Sequence, residues 1–237
     1  MFARFRIVAA AGAIAFSSTA LQAQTQLTAL SSGTNPSCTA LSTNLVQNCS
    51  FETPGPATSG PSYQFTDVLS PWQVSGGRFE IWSNSFNGFG ARHGARHLEL
   101  DSNIGNTSIW QVIQTLAGHE YTLNFSTAHR ILGQNDNAVS QLQVAVSGVG
   151  QSNPTMTWLT STLTNSTPYR WQDYSLTFVA NAASTRIEFS ALGTDNTHGD
   201  HLDNISLVKN TVPEPSSIAL LGAGLLALGL VARRRRA

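Results

Sequence analysis

The sequence predicts an all-β fold, a jelly-roll β-sandwich of about ten strands, with an N-terminal signal helix and a C-terminal single transmembrane helix outside it. Short runs of alternating apolar and polar residues recur over residues 45–209, as in Tyr121–Phe125 and Leu142–Val146. Glycine, asparagine and proline separate these runs, at a spacing typical of antiparallel sandwiches and jelly rolls. No stretch before Ser217 has a convincing helical period.

Residues 1–23 are typical of a secretory signal peptide. Arg4 and Arg6 form a basic start, an apolar stretch follows over residues 7–21, and Leu21-Gln22-Ala23 is a plausible cleavage site. The alternative is an uncleaved anchor, but the apolar stretch is short and diluted by Ser and Thr. We therefore expect export through the inner membrane.

Residues 24–44 form a lead-in segment that is rich in Ser, Thr, Asn and Gln and has no periodicity. Two cysteines, Cys38 and Cys49, stand close together in the chain. Because exported proteins favour disulfides, we expect these two residues to be bonded and to pin the lead-in segment to the first strand. The alternative is two reduced or mispaired thiols.

The domain itself is predicted over residues 45–209. Its candidate strands are Leu45–Phe51, Arg78–Trp82, His97–Leu100, Ser108–Thr115, Glu120–Ala128, Ser140–Ser147, Thr155–Thr162, Trp171–Val179, Ser184–Ala191 and Leu202–Val208. Seven basic residues against thirteen acidic ones lie between Ala23 and Pro215, a net charge of −6. This balance lacks the basic surface that nucleic acids require, so we expect no nucleic-acid partner.

A series of short sequence motifs lies on or beside the predicted strands. In chain order they include Asn48-Cys49-Ser50-Phe51-Glu52, Pro71-Trp72, Gly94-x-x-x-Leu98-Glu99-Leu100, Trp110-Gln111-x-Ile113, Gly118-x-x-Tyr121-x-Leu123-x-Phe125, Trp171-x-x-Tyr174-x-x-x-Phe178 and His201-Leu202-Asp203-Asn204-Ile205. Their order resembles the domain-of-unknown-function 642 family, known from plant cell-wall proteins and bacterial exported proteins. The opening motif is similar to that of carbohydrate-binding modules with a galactose-binding-like jelly roll, except that Cys49 replaces the usual glycine.

This resemblance implies a structural calcium ion (Ca²⁺) that joins the first strand to the last. By position in the motifs, its carboxylate ligands would be Glu52 and Asp203, with backbone carbonyls completing the coordination. The alternative is that both carboxylates only accept hydrogen bonds from backbone amides near the chain ends.

The segment 82–94 concentrates aromatic residues among Gly and Asn, where no strand is expected to bury them. Aromatic faces stack on sugar rings, while Arg and His side chains donate hydrogen bonds to sugar hydroxyls. The predicted glycan-binding residues are Trp82, Phe86, Phe89, Arg92, His93 and Arg130. The alternative is a loop folded over its own aromatic side chains as a small core.

The sequence contains no Gly-x-Ser-x-Gly elbow, Walker-type loop or dinucleotide fingerprint. Glu99 and Asp101 would face the same side of a strand, but any β protein offers such pairs. The polar stretch 194–203, with its Asp and His residues, matches no metalloprotease pattern and is expected to be a solvated loop. We therefore expect no catalytic residues and no enzymatic activity.

The C-terminal end has three parts: a linker over residues 210–216, sixteen small or apolar residues over 217–232, and a basic tail over 233–237. A helix of this length is about 24 Å long, slightly under the usual bilayer core. The four arginines would stay cytoplasmic by the positive-inside rule, which leaves the domain outside.

The combination of Pro213-Glu214-Pro215, the apolar stretch and Arg233–Arg236 resembles the bacterial PEP-CTERM sorting signal. The resemblance implies an exosortase-type sorting protease as partner and transient anchoring in the inner membrane, followed by release to the cell surface or extracellular matrix. It also implies an association with exopolysaccharide and biofilm production.

The leading hypothesis is an exported, non-catalytic module that binds glycan or exopolysaccharide at the cell surface or in the biofilm matrix. One alternative is a structural or adhesive matrix protein without a soluble glycan ligand. A second is a secreted glycan hydrolase, which would lose turnover when one specific carboxylate is removed.

Overall fold

The computed structural model describes residues 26–211 except 32, 55–59, 84, 103–104, 131–139, 153–154, 161–169 and 196. The predicted signal peptide, Pro213-Glu214-Pro215 motif, transmembrane helix and basic tail lie outside these residues. Within the part of the chain that is described, no helix has the length and apolar character needed to cross a membrane.

The described residues form fourteen strands and one short 3-10 helix, Phe86–Gly88. The strands are β1 (Thr28–Ala29), β2 (Ser62–Thr66), β3 (Gln73–Ser75), β4 (Phe79–Ser83), β5 (Arg96–Glu99), β6 (Asp101–Ser102), β7 (Gly105–Asn106), β8 (Ser108–Gln114), β9 (Glu120–His129), β10 (Leu142–Gly148), β11 (Met156–Leu159), β12 (Gln172–Val179), β13 (Ser184–Ala191) and β14 (Asp200–Lys209).

These strands form two packed antiparallel sheets and a small hairpin of β6 and β7. The larger sheet has seven strands in the order β1-β12-β9-β14-β5-β4-β2, and the smaller has five in the order β11-β10-β13-β8-β3. Consecutive strands of the chain repeatedly join different sheets, so the sandwich depends on pairings that are distant in sequence. The prediction of an all-β jelly-roll sandwich is confirmed.

The hydrophobic core lies between the two sheets. On β13 every second residue is buried, because one face of the five-stranded sheet meets the core and the other meets solvent. By contrast, β4, β5 and most of β14 are buried on both faces. A second layer of residues therefore covers the outer face of the seven-stranded sheet, defined here as the face that points away from the five-stranded sheet.

Nine of the predicted strands are present, but the prediction of a strand over Leu45–Phe51 is wrong. This segment forms turns, with Asn48 and Phe51 at positive φ values of 48° and 59°. The Asn48 side chain accepts a hydrogen bond from the Thr53 backbone N–H, which stabilises the turn in place of a strand pairing. The alternating pattern of apolar and polar residues also did not predict the short strands β2 and β3.

The lead-in segment is tied to the last strand of the domain. The structure joins Cys38 and Cys49 in a disulfide with a Cα–Cα distance of 6.2 Å. Asn204, in a bulge of β14 with a φ of 54°, accepts a hydrogen bond from the Cys38 backbone N–H and donates one to the Pro36 carbonyl. The lead-in segment, whose sequence has no periodicity, also contributes β1 to the edge of the larger sheet.

Candidate functional site

Two rows of side chains cross the outer face of the seven-stranded sheet. The first row is Tyr63, Trp82 and His97, and the second is Phe65, Glu80, Glu99 and His201. Each row joins residues that are cross-strand partners on β2, β4 and β5, and the second row continues onto β14. Because residues two apart on a strand point to the same face, both rows lie on one surface.

A cleft with a volume of about 240 Å³ opens over these rows at the β2 edge of the sheet. Its lining residues are Tyr63, Phe65, Glu80, Trp82, Phe86, Arg130 and Thr197. Half of Tyr63 is exposed, and its ring centroid lies 5.6 Å from that of Phe65 and 5.4 Å from that of Phe86. The cleft thus combines an aromatic rim with charged groups at its floor.

Trp82 forms part of the cleft floor and is 0 % exposed. The Arg130 guanidinium lies 4.7 Å from the indole centroid, and the Phe86 and His201 rings contact the indole edge-on at 4.9 and 4.7 Å. Trp82 lies on β4, which agrees with the predicted strand Arg78–Trp82, but the expectation that no strand buries it is wrong, because its ring is covered. In this conformation the indole presents no free face to a sugar ring.

Phe89 is also buried, in a small aromatic core over the outer face. Its ring stacks on Trp171 with centroids 5.0 Å apart and contacts His97 and His201 at 5.0 and 5.1 Å. The Trp171 indole N–H donates a hydrogen bond to the Gly90 carbonyl and so holds the covering loop in place. The structure therefore places Phe89 in a small core, the alternative that the sequence left open.

Arg92 and His93 anchor the same loop away from the cleft. The Arg92 guanidinium donates hydrogen bonds to both carboxylate oxygens of the buried Asp173, at 3.1 and 2.9 Å. This hydrogen bonding raises the pKa of Arg92. The His93 Nε2 atom lies within hydrogen-bond distance of the Ser37 and Thr39 hydroxyls in the lead-in segment. Of the six predicted residues, the structure brings only Trp82, Phe86 and Arg130 together at the cleft.

A buried acid pair lies beneath the aromatic rim. Glu80 and Glu99 are cross-strand partners on β4 and β5, and both are buried on the outer face. Arg130 forms an ion pair with Glu99 at 3.0 Å, and the Trp82 indole N–H donates to Glu80 Oε1 at 3.1 Å. Burial raises the pKa of both carboxyl groups. The sequence suggested Glu99 only beside Asp101 on the same strand, a pair given no role, and did not indicate the cross-strand relationship with Glu80.

Two histidines of the outer face lie among aromatic rings. Burial lowers the pKa of His97 to about 3, and burial, together with the nearby Arg130 guanidinium, lowers the pKa of His201 well below its usual value. Both imidazoles are therefore neutral at physiological pH.

The expectation of a solvated loop over residues 194–203 is wrong for Asp200, His201 and Asp203, which are buried on β14.

Glu52 and Asp203, the predicted calcium ligands, both hold the turn over residues 93–96. Glu52 Oε1 accepts hydrogen bonds from the Ala95 and Arg96 backbone N–H groups, and Asp203 Oδ2 accepts one from the His93 N–H. Both carboxylates therefore accept hydrogen bonds from backbone amides, as the alternative interpretation expected. The described residues contain no group of three or more His, Cys, Asp or Glu side chains able to hold a metal ion, and calcium binding stays a prediction.

Sequence reasoning missed Tyr63, Phe65, Glu80, Glu99 and Thr197 as site residues. Tyr63 and Phe65 alternate with polar residues along β2, as expected of a strand. The preceding segment is rich in Gly, Pro and Ser, which indicates a loop and hides the short strand pattern. Glu80 is unremarkable in the sequence. The site becomes visible only when β2, β4 and β5 are aligned side by side.

Comparison with curated proteins finds a partial relative. The chain is 29 % identical over 152 residues to the multifunctional-autoprocessing repeats-in-toxin of Vibrio cholerae serotype O1 (strain ATCC 39315 / El Tor Inaba N16961). The match covers 62 % of this chain and 3 % of that protein. The chain thus spans a very small part of the toxin's length.

Comparison with solved structures finds similar folds at low identity. TmCBM61 in complex with β-1,4-galactotriose is 17 % identical with a TM-score of 0.49, covering 70 % of this chain and 99 % of that one. A structure described as family 16 carbohydrate binding module-2 is 15 % identical with a TM-score of 0.41 and the same coverage. An arabinose-bound α-L-arabinofuranosidase is 13 % identical with a TM-score of 0.46, covering 76 % of this chain and 28 % of that enzyme.

Comparison with protein families matches two consecutive parts of the chain. Residues 211–236 match the PEP-CTERM protein-sorting motif, so the C-terminal end carries a sorting signal. Residues 44–209 match the family described as a protein of unknown function, DUF642. That match contains both packed sheets except β1, together with every residue of the cleft. Since it spans well over half of the 237 residues, the chain belongs to the DUF642 family.

Proposed function

We propose that this protein is an exported, non-catalytic module that binds glycan in the cleft at the β2 edge. The observation that carries the proposal is the combination of an aromatic rim with a polar floor. Tyr63, Phe65 and Phe86 provide apolar surface at the opening, and Glu80 and Arg130 lie below. Carbohydrate sites use this pairing, because sugar rings offer apolar C–H faces and hydroxyl edges.

The expected ligand is a short stretch of polysaccharide. The cleft volume of about 240 Å³ is below the roughly 300–1,000 Å³ of sites that enclose a drug-sized molecule. An open rim suits a chain that passes through the site while only part of it enters. We place this binding at the cell surface or in the biofilm matrix, with exopolysaccharide as the partner.

The arrangement of the acid pair favours binding over hydrolysis. Glycosidases hold their two carboxyl groups about 5–9.5 Å apart, with the sugar between them. Glu80 and Glu99 are cross-strand partners that already accept hydrogen bonds from Trp82 and Arg130, and Glu99 is 0 % exposed. A hydrolase remains the alternative, and it predicts product release that is lost in the Glu80→Gln variant.

Binding is tested with the purified exported protein on an array of bacterial and plant polysaccharides. Tyr63→Ala and Phe86→Ala should each weaken binding about tenfold, because stacking contributes up to about 1.5 kcal/mol beyond area burial. Leu159→Ala, at an equally exposed position on β11 of the other sheet, is the matched control and should bind normally. If the wild type binds no glycan on the array, the structural or adhesive alternative replaces the proposal.

Sorting is a separate part of the proposal. We propose that an exosortase-type protease processes the tail at Pro213-Glu214-Pro215 after the apolar stretch has held the protein transiently in the inner membrane. The Glu214→Ala variant should then accumulate as a full-length, membrane-retained form by immunoblot. Equal size and fractionation of the variant and the wild type would contradict processing at this motif.

A further inference from the structure

The chain leaves the domain at one end of the sandwich, where β9 begins and β14 ends. Asn210 donates its backbone N–H to the Glu120 carbonyl at 2.9 Å and its side-chain N–H to the Glu120 carboxylate at 2.6 Å. Its side-chain oxygen accepts a hydrogen bond from the Thr122 hydroxyl at 2.8 Å. These bonds fix the place from which the sorting motif over residues 211–236 departs. We call this end of the two sheets the exit end.

Exposed aliphatic side chains are concentrated at the exit end. Four of the eight large apolar residues that are exposed in the described part of the chain lie there, namely Leu45, Val112, Leu116 and Val149. Their exposed fractions are between 36 % and 53 %. Single exposed apolar residues are normal, but a group of them on one surface indicates an interaction site. We call these four residues the exit patch.

Backbone hydrogen bonds hold two members of the patch beside the point of departure. The Leu45 N–H donates to the Leu207 carbonyl at 2.9 Å, near the end of β14. The Leu116 N–H donates to the Tyr121 hydroxyl oxygen at 2.8 Å, and Tyr121 is the strand partner of Lys209. Leu45 and Leu116 therefore keep a fixed position relative to the start of the tail.

A groove with a volume of about 380 Å³ connects Leu45 to Val112. Its lining residues are Leu45, Gln47, Pro71, Gln111, Val112, Ile113 and Gln114. Val149 adjoins the groove, because its N–H donates to the carbonyl of Ser184, the strand partner of Gln114. The exit patch thus extends along the groove and belongs to both sheets of the sandwich.

The polar groups around the patch tolerate contact with an apolar phase. Gln111 is buried, its Oε1 accepts from the Gln47 N–H and its Nε2 donates to the Gln47 carbonyl, both at 3.0 Å. Covering a polar group costs little when its hydrogen bonds are already made. The charged side chains where β9 begins and β14 ends are Glu120 and Lys209, which have opposite signs. This end therefore carries no excess charge that would repel a bilayer surface.

The connection to the apolar stretch over residues 217–232 is short. From Asn210 to Ser217 the chain spans no more than about 25 Å, even when it is fully extended. If that stretch holds the protein in the inner membrane, as proposed above, the exit end stays within this distance of the bilayer. The exit patch is then the apolar surface of the domain that lies beside the lipid.

On the basis of the proposed transient anchoring, we infer that the exit patch docks on the phospholipid surface of the inner membrane while the tail is inserted. The four aliphatic side chains enter the boundary between headgroups and acyl chains, where apolar side chains are stabilised. Docking keeps the Pro213-Glu214-Pro215 linker at the bilayer surface. Release of the domain from its tail ends this contact, because the patch is no longer held close to the lipid.

The first test measures contact between the patch and lipid in the full chain, reconstituted with its tail into vesicles of phosphatidylethanolamine and phosphatidylglycerol. Leu116→Cys carries a fluorophore, since both native cysteines are bonded to each other. Leu192→Cys is the matched control, because Leu192 is also about half exposed but lies beyond the opposite end of β13. Spin-labelled lipids should quench the fluorophore at position 116 about twofold or more and leave that at position 192 unchanged.

Vesicle flotation separates the inference from the proposal on which it rests. A chain that does not float with the vesicles would contradict the proposed anchoring. A chain that floats but shows equally weak quenching at positions 116 and 192 would overturn docking and leave the anchoring intact.

The second test removes apolar surface and reads the contact at a third position. With the fluorophore on Leu45→Cys, the added pair Leu116→Asn/Val149→Asn should reduce lipid quenching to the level of position 192. The pair Leu159→Asn/Leu192→Asn makes the same change at similarly exposed positions outside the patch and should leave quenching at position 45 unchanged. Melting curves confirm that each variant is folded. Quenching that survives loss of the patch residues would overturn the inference.

Two other occupants give different results. If the patch binds a second copy of this chain, fluorophores at position 116 should show energy transfer between copies without quenching by spin-labelled lipid. If it binds the sorting protease, Leu116→Asn/Val149→Asn should slow processing in cells while the vesicles show no lipid contact at position 116. Either result would replace docking on lipid.

Discussion

The Arg130 guanidinium lies 4.7 Å from the centroid of the Trp82 indole while its Nη1 atom bonds to both carboxylate oxygens of Glu99. The Arg130 guanidinium thus contacts an aromatic face and forms an ion pair with a buried carboxylate at the same time. Because Trp82 itself donates to Glu80, these side chains form a continuous network beneath the cleft. The stability of the outer face and the shape of the cleft therefore depend on the same contacts.

Replacing Trp82 should destabilise the fold much more than replacing Phe86. Trp82→Ala removes a fully buried indole and should lower the free energy of unfolding by about 3–5 kcal/mol, as buried aromatic truncations do. Phe86 is only partly buried at the rim, so Phe86→Ala should cost clearly less. Urea unfolding measures both values. A Trp82→Ala protein as stable as the wild type would show that the indole is not part of a core.

Removing the Arg130 charge should expose the cost of an unpaired buried carboxylate. Arg130→Met should lower the free energy of unfolding by about 3–5 kcal/mol, because Glu99 is fully buried. The double variant Arg130→Met/Glu99→Gln should recover part of this loss. Arg78→Met is the control, since Arg78 pairs with the exposed Asp67 and should matter by less than about 1 kcal/mol. Equal losses at both arginines would contradict the network.

The pH dependence of stability should change in Asp200→Asn. Burial raises the pKa of Asp200 to about 7 against the hydrogen bond from Ser140, which lowers it. Because the pKa of Asp200 is higher in the folded than in the unfolded protein, its protonated form stabilises the fold. This stabilisation is complete below the unfolded-state pKa of about 4 and is lost as the pH rises through the folded-state pKa of about 7. Asparagine copies the protonated form, so the variant should gain on the wild type over this window, by at most about 4 kcal/mol.

Thermal unfolding of the two proteins between pH 4 and pH 8 measures this difference. Asp67→Asn makes the same change at an exposed position and should run parallel to the wild type throughout. A constant offset between Asp200→Asn and the wild type over the whole range would mean that Asp200 does not titrate in this window.

Calcium binding at Glu52 and Asp203 predicts that calcium raises the melting temperature and that Glu52→Ala or Asp203→Ala abolishes the rise. At a hundredfold excess over the Kd, the ion would add about 2.7 kcal/mol. Melting curves in calcium and in chelator measure the effect. If the wild-type curve is the same in both while each variant is less stable, the two carboxylates act only through their hydrogen bonds to the turn at His93, Ala95 and Arg96.

Strands that border the core could be predicted because their pattern is local. On β9 the core residues Tyr121, Leu123 and Phe125 alternate with polar residues, and β13 repeats the arrangement. The segment over Leu45–Phe51 has similar residues but forms turns, because its backbone is held by the disulfide and by Asn48. Local alternation cannot distinguish a strand from an apolar turn that is tied down elsewhere.

The sequence by itself determined the all-β sandwich, the relation to DUF642 and the sorting signal at the C-terminal end, since each depends on order and period along the chain. Only the tertiary structure decided that Tyr63 stands at an open rim, that Trp82 is covered and that Glu80 lies opposite Glu99. These relationships arise where β2, β4 and β5 pair side by side. The register between strands is set by packing across the whole sheet, and no local pattern records which residues will face each other.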